Sequence, residues 1–141
     1  MGAEFDSPKQ FRQLMDRVFT MMDEDPSMGP KLRDADVPMR YEFEDVDLVV
    51  NIRAAGPDED GNLHWEWSDD VGWDPKVKMA MSSETANKYF QGKENVALAI
   101  ARRRIKSGGD VKAALALMPV TKPVFAQYRA MLQAEYPHLV V

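Results

Sequence analysis

Two imidazoles and several runs of carboxylates are the groups in this chain that could move a proton or hold a metal. His64 and His138 lie far apart in the sequence. His64 alternates with residues that read as the inner side of a strand, so it is expected to face solvent, and His138 falls in the terminal tail. The carboxylates gather as Asp23-Glu24-Asp25, as Glu42, Glu44 and Asp45, as Asp58-Glu59-Asp60, and as Asp69-Asp70. Most sit in turn-forming stretches, where acidic runs are ordinarily solvated. A hard cation could use Asp58-Glu59-Asp60, but the loop lacks the full ligand spacing of an EF-hand. There is no P-loop, GxGxxG or HExxH pattern and no GxSxG elbow. With no cysteine, disulfides and thiolate metal sites are excluded. A binding module is therefore expected rather than an enzyme, with no catalytic residues, no metal and no cofactor.

Two further features call for an explanation. Ten methionines supply pliable apolar surface, which suits either core filling or an adaptable cavity. In the segment AIARRRIKSGGD, residues 99–110, an apolar run meets the densest positive charge of a chain whose net charge is -5. That acidic balance gives the domain no basic footprint for nucleic acid. It also argues against Trp65, Trp67 and Trp73 as a stacking platform for single strands.

The elements that must position these groups follow from hydrophobic period. Ser7-Pro8-Lys9-Gln10 has the cap, proline and capping-box pattern of a helix start. Phe11, Leu14, Met15, Val18, Phe19 and Met22 follow at helical spacing, so a helix is expected over about 8–22, broken by residues 23–30. Tyr41 and Phe43 share one strand parity, and Val46, Leu48, Val50 and Ile52 the other, with a bulge or short turn near Glu44-Asp45. Leu63, Trp65 and Trp67 alternate as a second strand region, and Val77, Met79 and Met81 as a third. The loops between them are too short for a crossover helix, which favours an antiparallel meander. Ser82 can cap a short helix with Ala86, Tyr89 and Phe90 on its apolar side and Gly92 at its end. Asn95 to Ala101 is a second short helix or the approach to a strand, and residues 102–107 read as strand. Gly108-Gly109 reads as a turn and Asp110 as the cap of a helix with Val111, Ala114, Leu115 and Met118 on one face. Pro119 ends that helix, and a last one over about 122–135 carries Val124, Phe125, Tyr128, Met131 and Leu132. Strands followed by helices in this order imply an α+β domain. The 141 residues suit one domain, residues 1–141. No stretch is long and apolar enough for a transmembrane helix, and a cytoplasmic location is the default.

The C-terminal half carries a more specific pattern. Val77 to Ser82 is an alternating strand running into a helix that closes in Tyr89-Phe90-Gln91-Gly92-Lys93. Ala99, Ile105 and Gly109-Asp110, opening a helix with Leu115 and Leu117, complete the series. This series resembles the sterol carrier protein family, the SCP2-like lipid-binding domains, over residues 77–118, and by order of elements from residue 39. The resemblance implies a five-stranded, mostly antiparallel sheet covered by helices, with an apolar tunnel between them for a sterol, fatty acid or acyl-CoA type of ligand. Trp65, Trp67, Met79 and Met81 would then face Phe90, Leu115, Met118, Phe125 and Tyr128 across a concave apolar site. The family often has a small residue, such as Gly, where this chain has Arg103. If Ile105 faces inward on a strand, Arg103 and Ser107 share its face. Arg103 would then meet either an internal carboxylate or an anionic ligand group at the tunnel mouth. The alternative function is an accessory or oligomerisation subunit of an enzyme system. It would have a filled core and an exposed apolar patch on the last helix and tail, with a homodimer or protein partner left open.

Overall fold

The structure, a computed structural model, describes residues 5–141. The chain forms α1 (Pro8–Glu24), α2 (Met28–Ala35), β1 (Met39–Phe43), β2 (Leu48–Ala54), β3 (Leu63–Glu66), β4 (Val77–Met81), α3 (Ser83–Phe90), α4 (Val96–Ala101), β5 (Lys106–Gly109) and α5 (Val111–Glu135). A short 3-10 turn over Pro137–Leu139 follows. The domain is α+β, and its five strands lie in the order β3-β2-β1-β4-β5.

The sheet is mixed rather than a meander. β1 pairs antiparallel with β2, and β2 with β3. β4 does not add beside β3. It lies parallel to β1, with Tyr41 opposite Met79, and β5 closes that edge antiparallel to β4. The ten residues between β3 and β4 make this crossover without a helix. Ten residues reach about 33 Å, whereas three strand spacings are about 14 Å. The crossover loop lies over the outer face of the sheet, where the Asn51 amide donates to the Ser68 carbonyl at 2.7 Å and Arg40 to the Asp69 carbonyl at 2.9 Å.

The inner face carries Tyr41 and Phe43 from β1 and Val77, Met79 and Met81 from β4, all buried against the helices. The α1 stripe packs here as its spacing predicts, from Phe11 to Met22. Ser7 caps α1 by accepting from the Gln10 amide at 3.1 Å. Asp16 on α1 accepts the indole N–H groups of both Trp65 (3.1 Å) and Trp67 (2.6 Å), which fixes the helix against the β3 edge. Its end is held by Asp23, whose carboxylate accepts the backbone N–H groups of Asn62 and Leu63.

Four expectations about the elements need correction. The break after α1 is short: the Asp25 carboxylate accepts from the Ser27 and Met28 amides and starts α2, with Pro30 tolerated in its first turn. The last helix does not begin near residue 122. α5 runs unbroken through Pro119 and Pro123. The carbonyls these prolines leave without a donor belong to Leu115 and Pro119, and residues 115, 119 and 123 all lie on the solvent side, where water can satisfy them. Residues 102–105 are not strand; α4 ends in them and β5 starts only at Lys106. Gly108 and Gly109 are strand residues, not a turn.

On the outer face Arg53 forms a two-pronged ion pair with Glu59, at 2.5 and 3.1 Å, and lies 4.8 Å from the Trp73 ring centre. The Arg53 guanidinium and the Gly56 amide hold the Glu59 carboxyl down at about 2, below its ordinary value of 4.5. A depressed folded-state value contributes stability above the ordinary value and loses it as pH falls through the folded one. Glu59→Gln should therefore lower the melting temperature at neutral pH by a few degrees, and the difference should shrink as pH falls through about 2 and vanish below it, as measured by calorimetry across that range.

Candidate functional site

A small apolar cavity of about 60 Å³, partly open to the surface, lies between the inner face of the sheet and the helices. β1 and β2 supply Met39, Tyr41 and Ile52, α1 supplies Phe19 and Met22, and α5 supplies Ala114, Leu117 and Thr121. α2 and α3 close it with Leu32, Tyr89 and Phe90. No carboxylate and no imidazole is among the lining residues. Its polar lining residues are Arg53, Thr121 and the buried phenols of Tyr41 and Tyr89. Burial pushes the Tyr41 hydroxyl well above its ordinary value, with the neighbouring Tyr89 adding to the shift. Burial raises Tyr89 to about 12, against a smaller opposing effect of the Tyr41 hydroxyl. Both are neutral at physiological pH and can donate or accept one hydrogen bond inside an otherwise apolar space.

Outside this cavity, between α5 and the segment joining α3 to α4, runs an open groove made of two contiguous depressions of about 450 and 540 Å³. They share Gly92, Glu94, Leu115 and Met118. Tyr89 lines both the inner cavity and the first depression, so its ring stands between the two. Gly92 permits the close approach of α5. Its φ is 73°, and a Cβ there would meet the Phe125 ring at 3.0 Å. The α3 end at Gly92 is a Schellman closure: the Lys93 amide donates to the Lys88 carbonyl and the Gly92 amide to that of Tyr89.

The residues expected to line one tunnel are divided by the structure. Phe90 lines the inner cavity. Leu115, Met118 and Phe125 come together, but in the outer groove. Met79 and Met81 are core residues of β4, buried but not at the cavity. Trp65 and Trp67 are half-buried and pack on Phe19 of α1, with ring centres 5.7 and 6.2 Å away. Tyr128 is fully buried and donates to the Asn87 side-chain carbonyl at 2.8 Å. Arg103 is exposed and lines neither the cavity nor the groove. Its inward placement depended on a strand that is absent there, since Arg103 occupies the turn after α4 with a φ of 62°.

Tyr41, Tyr89, Met22, Met39, Leu32 and Leu117 line the cavity without having been picked out as ligand-facing. Tyr41 and Tyr89 were legible as inward residues, and their hydroxyls were the missed signal. A filled core with an exposed apolar tail is not what the C-terminus shows. Leu139 is fully buried, and its carbonyl accepts from the Asn87 and Gln91 side chains, both at 2.9 Å.

The arrangement of a five-stranded sheet with one parallel pairing, crossed on its inner face by α1 and α5, is the fold of the sterol carrier protein SCP2 domains. The chain is similar to a UbiJ-SCP2 ubiquinone synthesis protein, with 9% identity and a TM-score of 0.61, over 83% of this chain and 96% of that one. It is similar to the apo form of sterol carrier protein 2 from Yarrowia lipolytica, with 15% identity and a TM-score of 0.55, over 86% and 96% of the two chains. The fold also matches part of the inverting sec-alkylsulfatase Pisa1 from Pseudomonas sp., with 17% identity and a TM-score of 0.55. There 65% of this chain is covered, and it spans only 14% of the alkylsulfatase. No protein-family model and no curated protein matches the sequence.

Proposed function

We propose that this protein binds and carries a hydrophobic small molecule, of the sterol, fatty acid or acyl-CoA type, without transforming it. The observation that carries the reading is the shared wall at Tyr89, with apolar space on both sides of one aromatic ring. The groove supplies a volume in the range of small-molecule sites, about 300–1,000 Å³. The inner cavity is smaller than the roughly 150 Å³ apolar void that admits a benzene. A chain entering it must displace side chains, and the ones at hand, Met22, Met39, Leu32 and Leu117, are unbranched or flexible. Each methylene buried contributes about 0.8 kcal/mol, which offsets that rearrangement after a few carbons. The two phenols then give a polar ligand group a neutral hydrogen-bonding partner. Two of the similar proteins are named for sterol carriage and ubiquinone synthesis, which agrees with an apolar ligand. Binding without catalysis is the simpler reading of an inner cavity whose lining is free of carboxylate and imidazole, with Glu94 confined to the outer groove.

The test is displacement of a fluorescent long-chain fatty acid by palmitate, on the delipidated full chain. Ala114→Leu places three more carbons in the inner cavity and should weaken binding about tenfold while leaving the melting temperature equal or higher. Equal affinity in the wild type and the variant would place the ligand elsewhere, and no binding by the wild type would remove the reading.

A further inference from the structure

The charge of this protein is divided between two surfaces. Residues 93–112 hold six of the 18 basic residues (Lys93, Arg102, Arg103, Arg104, Lys106, Lys112) and two of the 23 acidic ones, Glu94 and Asp110. That segment therefore carries +4, and the rest of the chain carries -9. Among the described residues, the two exposed large apolar side chains, Leu98 at 40% and Leu115 at 38%, stand on or beside this same segment. Ala97 and Leu115 line one depression of the groove, so the free faces of α4 and α5 form one continuous surface. On α4, Leu98, Ala101 and Arg102 fall at i, i+3 and i+4, and on α5 Lys112 and Leu115 are three apart, so each leucine has a cation on its own side.

Backbone conformation adds an independent observation. α4 ends as α3 does, in a Schellman closure: the Arg104 amide donates to the Ala99 carbonyl at 2.8 Å and the Arg103 amide to that of Ile100 at 3.1 Å. The left-handed position is Gly92 in the first closure and Arg103 in the second, with φ of 73° and 62°. Glycine adopts that conformation without strain, whereas a side chain there is disfavoured. An arginine kept at a glycine position, exposed and between two other arginines, is a charge held at a cost in stability.

We infer that this face docks the protein on an anionic lipid surface. Leu98 and Leu115 would enter the headgroup boundary, Arg102, Arg103 and Lys112 would meet lipid phosphates, and the groove would open toward the membrane; Arg104 and Lys106 are already held by Glu94 and Glu44, at 2.8 and 3.2 Å. Shallow apolar side chains ringed by cations are what an interfacial site requires. The -9 remainder is repelled by the same surface, which sets the orientation. The inference stands on this charge and exposure pattern and not on ligand binding in the cavity.

The experiment is co-sedimentation of the full chain with vesicles of phosphatidylcholine containing phosphatidylglycerol, against vesicles of phosphatidylcholine alone. Binding is expected only to the anionic vesicles and should collapse at high salt. Arg102→Glu with Arg103→Glu should weaken it by at least about tenfold, and Leu98→Ser with Leu115→Ser should weaken it at low salt. Arg103→Gly should raise the melting temperature while lowering vesicle binding, a pairing that a purely structural role for Arg103 would not produce. The charge-reversed variant should still take up the fluorescent fatty acid in solution, so failure here and failure of the carrier reading are told apart. Indifference of the wild type to anionic lipid, unchanged binding by the charge-reversed variant, or binding of an acidic protein or oligonucleotide in place of vesicles would each overturn the inference.

Discussion

Gly109→Ala is expected to destabilise the fold by more than about 4 kcal/mol, among the largest single-residue losses. Gly109 has a φ of 74°, and a Cβ there would stand well inside contact distance of the Lys76 carbonyl oxygen, 3.1 Å from its carbon and 3.4 Å from the Val77 Cα. These are backbone atoms and cannot rotate away. The Lys76 carbonyl accepts the Asp110 amide at 2.9 Å, and the Lys76 amide donates to the Pro38 carbonyl at 2.8 Å. Relief of the clash would break the start of β4, the β4–β5 pairing and the cap of α5 together. The left-handed conformation adds about 1 kcal/mol, and each disrupted hydrogen bond about 1 kcal/mol more. Gly108→Ala is the control, since its Cβ would meet only the Lys78 Cβ at 4.0 Å. Urea denaturation should show Gly108→Ala near the wild type and Gly109→Ala largely unfolded. Equal midpoints for the two would contradict the close approach.

Asn87→Leu should cost about 3 kcal/mol and loosen the C-terminal tail. Asn87 is 1% exposed. Its amide donates to the Leu139 carbonyl at 2.9 Å, while its own oxygen accepts from Gln91 at 3.0 Å and from the Tyr128 hydroxyl at 2.8 Å. Gln91 in turn accepts from the Val141 amide at 3.0 Å. The network is satisfied at each of these atoms, so the substitution leaves the fully buried Tyr128 hydroxyl without a partner. Burial already pushes that phenol above its ordinary value, so ionisation does not relieve it. Tyr128→Phe removes the orphan and should restore part of the loss in the double variant, giving a coupling of about 1 kcal/mol or more. Additive losses from the two substitutions would show that the hydroxyl draws nothing from Asn87. Hydrogen exchange at the Val141 amide should quicken in Asn87→Leu.

The division between what the residues announced and what they concealed has physical causes. Period-two alternation placed Tyr41, Phe43, Val77, Met79 and Met81 inside, because a strand with one buried face leaves that imprint. The side on which β4 joins the sheet leaves none: a parallel neighbour reached by an extended loop has the same alternation as an antiparallel one. In α5 the prolines concealed the helix. Ala114, Leu117, Thr121, Val124, Tyr128 and Met131 keep a continuous three-and-four spacing on the inward side. Breaking the helix at Pro119 lost that phase and turned Leu115 and Met118 toward the ligand space in place of Leu117. Arg103 shows the opposite error. An apolar run followed by charges reads equally as strand, and only the Asn95 cap, accepting from the Leu98 amide at 3.0 Å, signals that a helix has already begun.

Entry of a hydrophobic molecule beside Tyr89 is tested most directly by NMR of the methionine methyl groups during titration with palmitate. The methionines report on separate places: Met22 and Met39 line the inner cavity, Met118 the groove, and Met15, Met28 and Met81 the packed core. Saturable shifts at Met22, Met39 and Met118, with Met15, Met28 and Met81 nearly still, are the expected result. Shifts at Met118 alone would confine the ligand to the surface groove, and unmoved methyl groups at saturating palmitate would contradict a carrier built around this cavity.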